Sequence, residues 1–178
     1  MSKQSEIYIS VDIEASGPIP GEYSMLSIGA CVVGHIERSF YTELKPLNDH
    51  FEEKAIKVTG LSMETLKENG EEPASAMAQF EDWIKSVAED ERPVFVGFNA
   101  TFDWLFTHWY FIKFLGYDPF GISGLDIKAY YMGKHNTTWG ETVKKTVRSD
   151  YPTKTVHTHN ALDDAIEQAD IFEKMMKG

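Results

Sequence analysis

An apolar run from Ile7 to Ile13 reads as a β-strand, and it closes on the pair Asp12-Ile13-Glu14. Residues two apart on a strand share a face, so both carboxylates project together while Ile7, Ile9, Val11 and Ile13 fill the other side. Two carboxylates side by side repel each other unless a cation lies between them. Taken alone, the pair also suits a solvent-facing strand edge. Two further segments change its meaning. Asn99-Ala-Thr-Phe-Asp103 follows a second apolar strand, and His159-Asn-Ala-Leu-Asp-Asp164 stands at the mouth of a C-terminal helix. Hydrolysis of a phosphodiester needs a compact carboxylate cluster to hold divalent metals, plus a base to activate water. If these segments converge, the chain has both.

Asp103 lies near the start of a helix crowded with Phe102, Trp104, Leu105, Phe106, Trp109, Tyr110 and Phe111. A helix apolar nearly all round is buried on most sides. A lone carboxylate there costs several kcal/mol, roughly, unless it is paired or coordinated. An acid in a first turn also complements the helix dipole, but the dipole leaves Asn99, at the strand exit, without a role.

Advancing about 100° per residue along the last helix separates its two adjacent aspartates. Leu162, Ala165, Ile166, Ala169, Phe172 and Met176 form the expected core stripe. Asp163, Glu167, Asp170, Lys174 and Lys177 form an expected solvated stripe. Asp164 falls on the other margin, with Ala161, Gln168, Ile171 and Met175. His159 precedes this helix and is placed to turn back over the same site.

The remaining elements follow the same reading. Met25 to Val33 and Arg38 to Leu44 are strands that continue an antiparallel meander, with a Gly17-to-Gly21 turn before them. Pro73 to Ala88 is a helix with proline in its first turn. Pro93 to Phe98 is a strand and Thr101 to Leu115 a helix stopped by Gly116. Gly121 to Tyr130 reads as loop with a short strand, Glu141 to Arg148 as a short helix, and Ala161 to Met176 as the last helix. Hairpins followed by βα units give a mixed α/β sheet. At 178 residues the chain is expected to be one domain, 1–178.

Net charge is −11, but it is uneven. Thirteen acids against five lysines between Glu43 and Glu91 give −8. From Asp126 to His159, six bases (Lys128, Lys134, Lys144, Lys145, Arg148, Lys154) against three acids give +3, with His135, His157 and His159 in the same stretch. That stretch is either an ordinary solvated surface or a phosphate-steering one. An otherwise acidic protein should take short or single-stranded ends rather than coat duplexes. The one cysteine, Cys31, excludes an intramolecular disulfide and fits a reducing compartment. The segment Met1 to Glu6 lacks the apolar core of a signal peptide, and no apolar run is long enough to span a bilayer, so a cytoplasmic protein with no membrane partner is expected.

Together these segments resemble the motifs of the DEDDh 3′–5′ exonucleases, the superfamily of polymerase proofreading exonucleases, RNase T and oligoribonuclease. Asp12-x-Glu14 matches the first motif, Asn99-x-x-x-Asp103 the second, and His159-x-Ala161-x-x-Asp164 the third. Val58-Thr-Gly-Leu-Ser62 and Leu125-Asp126-Ile127 resemble further family segments. Two positions depart from the pattern: Glu14-Ala-Ser-Gly17 lacks the family's threonine, and Phe98 stands where histidine is frequent.

The resemblance implies an RNase H-like five-stranded sheet and removal of nucleoside 5′-monophosphates from a single-stranded or short nucleic acid 3′ end. It implies two Mg²⁺ ions, replaceable by Mn²⁺, about 3.5–4 Å apart. Asp12, Glu14 and Asp164 would ligate them, Asp103 would hold their waters, and His159 would be the base. The implied substrate-binding set is Ala15, Ser16 and Gly17 with Met25, Leu26, Asn99 and Phe102. A proofreading-type subunit, a non-catalytic nucleic-acid-binding module and a homodimer stay open.

Overall fold

The computed structural model describes residues 5–154 and 158–178. His157, counted with the basic stretch, and the first four residues of the expected leaderless start lie outside the described residues. Three strands open the chain: β1 (Glu6–Ala15), β2 (Met25–Val32) and β3 (His35–Glu43). Helices α1 (Glu53–Thr59), α2 (Met63–Asn69) and α3 (Pro73–Ala88) lead to strand β4 (Arg92–Gly97) and helix α4 (Thr101–Leu115). Strand β5 (Leu125–Asp126), helix α5 (Ile127–His135), a 3-10 turn (Trp139–Glu141), α6 (Lys144–Asp150) and α7 (Ala161–Lys177) complete it.

The strands make one sheet in the order β3-β2-β1-β4-β5. The β1–β2 and β2–β3 pairs are antiparallel, and β4 runs parallel to both β1 and β5. The expected mixed sheet is therefore present, with β1 at its centre. Its odd positions, Ile7, Ile9, Val11 and Ile13, pack with Phe80, Phe106, Tyr110 and Phe111 of α3 and α4. Phe80 is the hub of that layer, stacked on Phe40, Trp83 and Phe111 at 5.0, 5.9 and 5.6 Å between ring centroids. The even positions of β1 face α7, where the Ser10 hydroxyl donates to the Ala165 carbonyl (2.8 Å). Both faces are covered, so Asp12 and Glu14 do not lie on an open strand edge.

Some expectations shift. Helices α1, α2 and α5 lie where no helix is expected. Seven-residue helices carry too few turns to show a period, and α1 buries none of its residues. Residues 121–130 begin as loop and a two-residue strand, but α5 starts at Ile127, capped by the Asp126 carboxylate on the Lys128 N–H (2.7 Å). The helix expected over 141–148 divides into a 3-10 turn and α6.

The largest correction is on α7. Glu167, assigned to the solvated stripe, is fully buried, whereas Met176, assigned to the core, is 37% exposed. Leu162 and Ile166 are only half-buried. The buried set is Ala161, Asp164, Ala165, Glu167, Gln168, Ala169, Ile171, Phe172 and Met175. The reason is a second neighbour. α7 packs on the sheet and also meets α6, whose Lys144 and Arg148 reach the Glu167 carboxylate at 2.8 and 3.1 Å. A buried carboxylate tolerates loss of water only when cations replace it.

Candidate active site

The acidic segments meet at one end of the sheet. β1 brings Asp12 and Glu14, the first turn of α4 brings Asp103, and the first turn of α7 brings Asp164. Asp12, Asp103 and Asp164 are each fixed by a donor from outside their own element. The Gln168 side chain donates to Asp12 Oδ1 (2.5 Å) while its Oε1 accepts the Phe98 N–H (2.7 Å), tying β1 to the exit of β4. Asp103 Oδ1 accepts the Ile13 N–H (3.1 Å), and Asp164 Oδ1 accepts the Thr158 N–H (3.2 Å).

The third segment turns sharply. His159 has φ +57°, a left-handed conformation that costs a non-glycine residue roughly 1–2 kcal/mol. Asn160 follows as the N-cap of α7, its side chain accepting from the Leu162 and Asp163 N–H groups. The turn sends the exposed imidazole back over the site. One ligand atom each from Glu14, His159 and Asp164 lie within 4.8 Å of one another.

Electrostatics agree with the geometry. Burial, then the charges of Asp103, Asp164 and Glu14, push the Asp12 carboxyl well above the usual range, while the Lys144 ammonium opposes them. Burial with Asp164 and Asp103 raises Glu14 to about 8. Burial raises Asp103 to about 7 against the Ile13 N–H, which pulls it down. Burial and mutual repulsion make these acids resist losing their protons, and a positive charge among them would relieve both. Oxygen donors clustered at a partly open site suit a hard divalent cation, which would supply that charge. The oxygens of Asp12, Glu14, Asp103 and Asp164 have the chemistry such an ion takes, and the His159 imidazole lies beside those of Glu14 and Asp164.

The expected substrate contacts divide. A cleft of about 370 Å³ opens beside Glu14, lined by Ala15, Gly17, Val58 and Phe102 among others. Asn99 is exposed at the rim with φ +66°. Ser16, Met25 and Leu26 are buried. The Ser16 hydroxyl donates to the His50 carbonyl and accepts the Ser24 N–H. Met25 sits in the main core, and Leu26 packs with Met63 and Leu66. Their side chains shape this end of the sheet from within. Trp104, in the first turn of α4, stacks on His108 (4.5 Å).

A family model described as exonuclease, the RNase T type, matches residues 9–172. The chain belongs to the exonuclease family. The 3′-5′ DNA exonuclease Cap18 of Escherichia coli is 48% identical to this exonuclease over 178 residues, covering 99% of this chain and 95% of the relative. Among solved structures, the nuclease domain of 3′hExo, a DEDDh family member bound to rAMP, superposes with a TM-score of 0.77 at 13% identity, covering 99% of this chain and 94% of the other. E. coli Exonuclease I in complex with a dT13 oligonucleotide gives 0.69 at 17% identity, over 97% of this chain and 41% of its own. S. pombe Pop2p, in a Mg²⁺ and Mn²⁺ bound form, gives 0.69 at 16%, over 96% and 82%. The five-stranded sheet is thus the RNase H-like sheet of DEDDh nucleases, and the protein is an enzyme of the 3′–5′ exonuclease class.

Three residues of this exonuclease's site were not singled out from sequence. Gln168 was legible, since it lies one helical turn beyond Asp164 on the same margin. Gly29 was not. It pairs with Asp12 across β1 and β2. A Cβ there would lie 2.2 Å from the Leu162 nitrogen and 2.3 Å from the Ala161 carbonyl carbon, so only glycine lets α7 approach. Lys144 was read as surface charge, and its place beside the cluster depends on the buried Glu167.

Proposed function

We propose that this protein is a divalent-metal-dependent 3′–5′ exonuclease that removes nucleoside 5′-monophosphates from single-stranded DNA. The observation that carries this reading is the convergence of Glu14, His159 and Asp164 ligand atoms within 4.8 Å, beside Asp12 and Asp103. DNA as substrate is supported by the 48% identical relative. Asp12, Glu14 and Asp164 would hold the cations, Mg²⁺ first and Mn²⁺ as substitute, and Asp103 would stand behind them. Bound there, the cations supply charge that stabilises the transition state at the scissile phosphate and acidity for a nucleophilic water.

The rest belongs to the side chains. His159 accepts a proton from the attacking water as oxygen adds to phosphorus. The phosphorus–O3′ bond breaks, which leaves a 5′-phosphate on the released nucleotide, and the departing O3′ takes a proton from solvent water to become the new 3′-hydroxyl of the strand. The cleft of Ala15, Gly17, Val58 and Phe102 receives the terminal base and sugar. The Gln168 amide keeps the Asp12 carboxylate from swinging. No helix among the described residues is long and apolar enough to cross a membrane. A single exonuclease domain over 1–178, at work in the cytoplasm, completes the reading; a lone cysteine, Cys31, suits a reducing compartment.

Incubation with Mg²⁺ and 5′-end-labelled single strands tests it. DNA shortens stepwise from its 3′ end, and a chelator stops the reaction. His159→Ala lowers kcat by about 10²–10⁴-fold, the range of one general base, and Asp12→Ala lowers it at least as far. Equal shortening by the Asp12→Ala protein would refute the chemistry. Preference for RNA over DNA would overturn the substrate alone.

A further inference from the structure

The basic tract from Asp126 to His159 separates into two parts in the fold. Lys144 and Arg148 turn inward to the buried Glu167 carboxylate. Lys128 goes the other way. Its ammonium lies 4.1 Å from the centroid of the Trp139 ring and 3.4 Å from Asn99 Oδ1. Asn99 opens the Asn99–Asp103 segment, so this pair stands at the rim of the carboxylate cluster. Trp139 is 49% exposed, in the 3-10 turn between α5 and α6. The ammonium therefore covers one face of the indole and links it to the Asn99 amide, while the ring keeps exposed surface beyond that contact.

We propose that Trp139 and Lys128 form a subsite for the DNA strand on the 5′ side of the scissile bond. A base stacks on the indole face that Lys128 does not cover, and the Lys128 ammonium meets a backbone phosphate. Every base has a π-face, so such a platform grips single strands without regard to sequence. A half-exposed tryptophan leaves apolar area in water that a stacked base would remove. Charge narrows the approach as well. The net charge is −11, and the acidic middle of the chain repels phosphates. Duplex DNA keeps its bases stacked on each other and gains nothing from the indole. This inference rests on the exonuclease reading for the nature of its ligand, but its test does not depend on hydrolysis.

Fluorescence anisotropy with a labelled oligothymidylate strand, in Ca²⁺ at low salt, reads binding directly. Trp139→Leu weakens the affinity by about tenfold, whereas Trp139→Phe stays within about threefold, because only the second keeps a stacking face. Lys128→Ala lowers the slope of log affinity against log salt by about 0.7, the value for one phosphate of a single strand. Unchanged affinity in Trp139→Leu overturns the proposal. So does equal weakening by the leucine and phenylalanine variants, or no measurable binding by the parent. A parent that binds the strand but leaves it uncut in Mg²⁺ counts against the exonuclease reading instead.

Discussion

At the scale of single residues, the site is a set of acids held against their own preference. Glu14 and Asp103 keep protons up to about pH 8 and 7. In the unfolded chain both let go near their ordinary values of 4.5 and 3.8. The metal-free native state therefore binds more protons than the unfolded one across that window. Stability is greatest below the unfolded values and is lost as pH rises through the folded ones. The metal-free protein is expected to melt several degrees lower at about pH 8.5 than at about pH 5.5 by scanning fluorimetry in chelator. The opposite trend would show that the carboxylates are not crowded. Metal ligation runs the other way, because the ligands must shed those protons, and Mg²⁺ affinity rises over the same interval.

At the scale of elements, the site depends on how closely α7 seats on the sheet. Gly29 permits that approach, Ser10 fixes it through the Ala165 carbonyl, and Gln168 extends it to Asp12 and Phe98. Gly29→Ala places a methyl group inside the backbone of the first turn of α7. That turn carries Asp164 and follows directly on His159. We expect Gly29→Ala to cost about 1–3 kcal/mol by overpacking and to reduce kcat by at least about 10²-fold, since a misplacement near 1 Å has that effect. Urea unfolding and steady-state kinetics on one preparation measure both. A variant that loses stability but keeps kcat would show that α7 slides without moving its carboxylate.

At the scale of the whole molecule, the cations are expected to act as part of the fold. An ion that binds only the native state, at about a hundred times its dissociation constant, adds roughly 2.7 kcal/mol. For a chain of this length, that corresponds to about 5–10 °C in Tm. Thermal melts in Mg²⁺ and in chelator check the shift, and Asp164→Asn should shrink it. Equal melting points in the two buffers would remove the metal from the account.

The strand that ends in Asp12-x-Glu14, the Asn99–Asp103 pair and the inward side of Asp164 were all legible in sequence. Strand and helix periods are local, so each acid could be placed on a face, and the three segments together gave those placements their meaning. The mixed sheet was legible for the same reason, as were the limits of α3 and α4, marked by Pro73 and Gly116. Glu167 was misread because a helical wheel assumes one buried face. Only the tertiary structure sets α6 on the second face and turns a solvated acid into the anchor of Lys144 and Arg148. Gly29 and the Trp139–Lys128 pair belong with it. Gly29 works between segments far apart in the chain, and the Lys128–Trp139 contact needs the chain to fold back between α5 and the 3-10 turn; no local period encodes either distance.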